Sequence, residues 1–188
     1  MKIAVLAWGS LIWDPRTLEV AAPFKAGGPN LPIEFCRISK NRRLTLVIDE
    51  AYGTLCGTYL APSRFEDLEA ARENLRVREE MGSVAGVGYA LVSGERSARA
   101  LELHPHATET IADWAAADGY DAAIWTALES NFEREAAEPF SVNAAQRFLE
   151  DLERNDFAAF ERALDYIRRA PEATQTPLRE RVAAQWPG

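Results

Sequence analysis

With 188 residues, 47% of them hydrophobic, the chain is long enough for one domain that buries most of the surface its unfolded form exposes. Its 21 basic and 29 acidic residues give a net charge of −8, which repels a phosphate backbone and argues against a nucleic-acid partner. The N-terminal apolar run is short and lacks a small-residue cleavage pattern, and no later stretch reaches the roughly 18 apolar residues of a membrane span, so the chain reads as cytoplasmic with no membrane partner.

The first element is a strand over residues 3–7, stopped by Gly9-Ser10 and followed by a turn at Asp14-Pro15. The runs 43–48 and 55–60 flank a turn holding Asp49, Glu50 and Gly53, which predicts a hairpin. Ser63 with Glu66 three residues later has the form of a capping box, and Leu68, Ala71 and Leu75 continue at helical spacing to an end near Glu80. The stretches "VAGVGYALVSG" and "ARALELHP" predict a second strand pair. From Thr108 the spacing of Ile111, Trp114, Ile124, Trp125 and Leu128 predicts helices interrupted at Asp118-Gly119. Two more helices are predicted over 141–154 and 156–169, the last ended by Ala170-Pro171. Strands followed by helices argue for an α+β fold in a single domain over 1–188, with a β-rich core to about residue 107 and a helical extension packed on it from about 108.

Chemistry has few candidates here. Cys36 and Cys56 sit in apolar surroundings at no metal or redox spacing and read as buried, reduced thiols. His104 and His106, separated by Pro105, read as solvated residues of a strand-end turn rather than a metal site. No glycine-rich phosphate loop is present, and no cofactor or metal is implied. What remains are carboxylates, arginines and backbone amides. A strand stopped at Gly9-Ser10 can aim successive N–H groups at one point, a cradle for a carboxylate or an oxyanion. Taken alone, the same residues are an ordinary turn. At the predicted helix end, Arg78, Glu79 and Glu80 point in different directions, so at most one or two of them can face inward. They read either as a solvated end with an Arg76–Glu80 pair, or as a glutamate pressed against apolar strands, its pKa raised toward that of a general base. One internal echo stands out: residues 7–11, Ala-Trp-Gly-Ser-Leu, match residues 51–55, Ala-Tyr-Gly-Thr-Leu, in character.

"GSLIWDP" after an N-terminal strand, "EFCRIS", "YGTLCGTYL" and "LRVREE" occur in the order of four motifs of the γ-glutamylcyclotransferase superfamily. The first ninety residues resemble that superfamily, and its ChaC-type glutathione-degrading branch most of all. The resemblance implies a small mixed or antiparallel, barrel-like sheet with packed helices. It also implies a loop, Trp8, Gly9, Ser10 and Leu11, that holds a glutamyl group through backbone N–H groups, and Glu79 as general acid/base with Glu80 as rival. The implied reaction is a lyase reaction that cyclises a γ-glutamyl amide or peptide to 5-oxoproline and frees an amine, without a cofactor. The second copy of the echo falls where the family has an ordinary strand, so residues 52–55 are expected to end a turn and start a strand. Trp8 stands where the signature has Tyr, and a longer stretch separates Glu80 from Tyr89 than in the family. The alternative implied by the same resemblance is a carboxylate-binding module without catalysis. The amine side of the substrate, the oligomeric state and the role of the helical half stay open, as does whether Arg37, Arg42 and Arg43 line a pocket or the surface.

Overall fold

The computed structural model describes residues 1–188, and the chain forms two compact units. Unit 1 comprises Met1–Leu31 and Gly57–Leu128; unit 2 comprises Pro32–Cys56 and Glu129–Gly188. The chain thus divides differently from the split expected near residue 107, because residues 108–128 belong with the N-terminal strand.

Unit 1 is built on a five-stranded mixed sheet. Its strands are β1 (Ile3–Ala7), β2 (Lys25–Ala26), β6 (Tyr59–Pro62), β7 (Val87–Leu91) and β8 (Ala122–Thr126), in the order β2-β6-β1-β8-β7. The central β1 is antiparallel to β6, with Val5 opposite Ala61, and parallel to β8, with Val5 opposite Ile124. All five residues of β1 are buried, so both faces of the sheet are covered at its middle. Ile3, Val5 and Ala7 cluster with Ala71 and Leu75 of α1 (Leu68–Arg78), and burying a side chain such as Leu75 contributes about 1.5–3 kcal/mol. Helix α3 (Pro105–Ala117) packs against β7 and β8, and the short α2 (Ala98–Leu103) packs against β7.

Unit 2 holds a three-stranded sheet of β3 (Leu31–Ile38, less its first residue), β4 (Leu44–Ile48) and β5 (Thr54–Cys56) in the order β4-β3-β5. Its helices are α4 (Phe132–Ala136), α5 (Val142–Asn155), α6 (Phe157–Arg169) and α7 (Pro177–Gln185). Helices α5, α6 and α7 pack on one another and α6 packs on β4. Ser141, Asp156 and Thr176 cap the last three helices, each side chain accepting a backbone N–H of the first turn. Asn131 closes the end of β3 as a strand neighbour would, its Oδ1 accepting Ile38 N at 2.7 Å and its Nδ2 donating to Ile38 O at 2.9 Å.

The fold is therefore α+β, as expected, but its two sheets are open and no barrel closes. Several elements differ from the sequence reading. The run 55–60 is two strands, β5 and β6, which part at Gly57-Thr58 and join different sheets, so the hairpin with β4 does not form. Gly53 sits tightly on the backbone of Pro32 and Asp49, where a Cβ would lie 2.4 Å from the Pro32 carbonyl carbon. Only glycine permits that approach, which starts β5 beside β3. Residues 98–103 are helix α2 because Ala, Arg, Leu and Glu favour helix over strand. Residues 124 and 125 lie in β8, a short, continuously apolar run that periodicity alone does not separate from helix. Helix α1 is capped by Asp67, whose carboxylate accepts Ala70 N at 2.9 Å, while Ser63 only closes a turn on Phe65 N. His104 is not a solvated turn residue: it is buried at the junction of α2 and α3. Cys36 and Cys56 are both buried free thiols, and burial pushes the Cys36 thiol pKa well up. No helix is long and apolar enough to cross a membrane.

Candidate functional site

Strand β1 delivers the chain into the loop Trp8–Asp14. The loop closes on itself through Ile12 N to Gly9 O, 3.1 Å, and Asp14 N to Ser10 O, 2.8 Å. Trp8, Gly9 and Leu11 are buried and Ser10 is half-buried. The amides of Gly9, Ser10 and Leu11 are not the donors of these closing bonds. A single turn of this kind presents such leading amides as a helix start does, in the sense that suits a negative charge.

The other half comes from the end of α1. Glu79 is the C-cap, its N–H still bonded to Leu75 O at 3.0 Å. Glu80 follows in the left-handed region at φ 54°, with Glu80 N on Val77 O and Met81 N on Arg76 O, a Schellman closure of the helix. This backbone reversal decides which glutamate faces inward. The Glu80 side chain is 78% exposed and pairs with Arg16 at 2.7 Å, whereas the Glu79 side chain is 21% exposed. The Arg76–Glu80 pair considered from the sequence does not form; Arg76 pairs instead with Glu73 at 2.6 Å.

Arg78 joins the two halves. Its side chain is 2% exposed, and its Nη1 donates to Glu79 Oε1 at 2.7 Å while its Nη2 reaches Ser10 Oγ at 3.5 Å and the carbonyl of Asp14. Ser10 and Glu79 thus lie at the two ends of one guanidinium. Removal from water pushes the Glu79 carboxyl pKa up, and the neighbouring Glu80 adds to this. The charges of Arg78 and Arg16 and the Arg78 hydrogen bond pull the other way, and the balance stays raised. The negative end of the α1 dipole acts in the same sense as burial. A carboxylate of this kind, held by one cation and short of water, can take a proton from an ammonium group and return it.

Nearby, Arg72 holds the segment after α1 in place. Its Nη2 donates to Val84 O at 3.3 Å, and its guanidinium lies 4.5 Å from the ring centroid of Tyr89 in β7. Tyr89 Oη in turn donates to Glu95 at 2.6 Å.

Of the sequence-based candidates, the structure brings Ser10 and Glu79 together through Arg78, buries Trp8 and Leu11, and turns Glu80 outward. The second copy of the echo is a turn closed by Asp49 and the start of β5. Arg37 binds Glu129 O at 2.8 Å, Arg42 is exposed near Asp151 and Asp156, and Arg43 lies over the Tyr166 ring. The sequence reading missed the linking role of Arg78 and the charge of Arg16. The first had a local signal, an arginine directly before the candidate glutamate; the second had none. No group of three or more His, Cys, Asp or Glu side chains is placed to hold a metal ion. No protein-family model, curated protein or solved structure matches the chain.

Proposed function

We propose that the chain is a γ-glutamylcyclotransferase-like enzyme, which cyclises a γ-glutamyl amide or peptide to 5-oxoproline and releases an amine. The observation that carries this reading is the buried Arg78, which ties the half-buried Glu79 to the loop of Trp8, Gly9, Ser10 and Leu11. The order of the four sequence motifs supports it as well.

In this reading the loop amides hold the glutamyl group, and Glu79 takes a proton from its α-ammonium. The freed amine attacks the γ-carbonyl carbon, and the carbonyl electron pair becomes an oxyanion stabilised by N–H groups. The tetrahedral intermediate then collapses, the γ-carbon to amide-nitrogen bond breaks, and the carboxyl of Glu79 protonates the leaving nitrogen. A second proton passes from the ring nitrogen to the departing amine, which leaves as an ammonium. Closing a five-membered ring asks for orientation and proton transfer, and those are the services this site supplies. Arg78 keeps Glu79 ionised enough to act as base while burial keeps it basic.

The test is 5-oxoproline release from glutathione and from a panel of γ-glutamyl amino acids and amines. Product from the parent chain, lowered about a hundredfold or more in Glu79→Gln, supports the reading. Unchanged turnover in Glu79→Gln overturns the assignment of Glu79. Saturable binding of a γ-glutamyl compound with no product from any substrate points instead to a carboxylate-binding module.

A further inference from the structure

A pocket of about 560 Å³ opens between α6 and Arg43, the residue before β4, in unit 2, within the size range of small-molecule sites. Arg43, Phe157, Phe160, Arg162, Leu164 and Arg168 line it. It is independent of Glu79 and of the loop after β1, all of which belong to unit 1.

Three features set it apart from an ordinary helix surface. The first is charge. In a chain of net charge −8, three arginines meet here, with Glu161 and Asp165 as the acidic groups of the lining, and Asp165 is already shared with Arg169 at 3.6 Å. None of Arg43, Arg162 and Arg168 is in a salt bridge; Arg168 instead donates to the carbonyl of Trp186 at 2.8 Å. The second is the state of Arg43. Its guanidinium stacks 5.1 Å from the Tyr166 ring centroid, and its Nε is buried without a hydrogen-bond partner, a donor for which an acceptor is missing. The third is the apolar wall. Phe157, at the first turn of α6, is 58% exposed although it is a large apolar side chain, and its ring tilts against Phe160 at 5.8 Å. Phe160 in turn meets Trp186 at 5.5 Å.

We infer that this pocket binds a small monocarboxylate with a flat apolar body, its carboxylate on the arginines and its body against Phe157 and Phe160. Arginine suits the task because its planar fork matches a carboxylate and stays charged at any relevant pH. The net lining charge of one positive unit fits a monoanion better than a phosphate dianion. Covering the exposed ring of Phe157 supplies the hydrophobic part of the affinity.

Calorimetric titration of the full chain with 3-phenylpropionate, acetate and phenethylamine separates the parts of this claim. Saturable binding of 3-phenylpropionate is expected, with acetate and phenethylamine each at least about tenfold weaker. Phe157→Ser, at an exposed position, and Arg43→Gln are each expected to weaken 3-phenylpropionate by about tenfold or more. Absence of saturable 3-phenylpropionate binding overturns the inference. So does equal binding of phenethylamine or acetate, or undiminished binding by Phe157→Ser. Because the pocket lies in unit 2, none of these outcomes depends on whether Glu79 is catalytic.

Discussion

Glu79 in unit 1 and Glu34 in unit 2 are both withdrawn from water and both have raised pKa values, yet their surroundings differ in kind. Glu34 lies in β3 with 1% of its surface exposed, and its partners are neutral: Phe35 N at 2.7 Å, the Thr176 hydroxyl, and the Leu178 amide at the start of α7. Those donors lower its pKa less than burial raises it, and the charge of Asp49 adds to the rise. Glu79 is partly open and sits against a cation. A carboxyl held by neutral donors inside a sheet is a structural joint between β3 and α7. One paired with a guanidinium beside a backbone loop has the setting of a group that exchanges protons.

The largest effect expected from breaking this contrast is on activity. Glu79→Gln should remove most 5-oxoproline formation, whereas Glu34→Gln should leave the rate nearly unchanged. Equal losses in both variants, read from initial rates, would erase the distinction between the two sites.

Next in size is stability. Glu34→Ala leaves the donors of Phe35, Thr176 and Leu178 without their acceptor in the interior and should cost about 2–3 kcal/mol in denaturant unfolding. The pH dependence carries its own sign. Folding raises the Glu34 pKa, so the folded chain holds that proton more tightly than the unfolded chain does. Its contribution is present below the ordinary carboxylate pKa and is lost as pH rises through the raised folded value. Unfolding free energies of Glu34→Gln measured across that window should lack this decline.

The smallest effect concerns the two exposed charges around Glu79. Arg16 lowers its pKa and Glu80 raises it. In the proposed reaction Glu79 works deprotonated, so kcat/KM should rise with pH through its pKa. Arg16→Gln should move that rise to higher pH and Glu80→Gln to lower pH, both shifts fading as salt is added. Shifts of the same sign, in pH–rate profiles at low ionic strength, would remove the proposed balance of charges.

Local signals carried much of this protein. Strand β1, the end of α1 near Glu80, and helices α5 and α6 were readable because apolar spacing and helix-end signals are properties of a few neighbouring residues. Helix geometry also limits how many of Arg78, Glu79 and Glu80 can face inward, but which of them do so follows from the left-handed backbone at Glu80.

Pairing across long sequence distances was beyond reach of the pattern. The apolar run of β8 reads equally as helix or strand, and only its place beside β1 decides between them. Gly57-Thr58 looks like a strand interior until the two sheets claim its two sides. Residue chemistry along the chain, then, supplied the carboxylate, the arginine and the glycine-serine turn. Tertiary structure alone brought Arg78 to Ser10, 68 residues away, because a contact of that range depends on how a helix packs on a sheet, and local propensity carries no record of it.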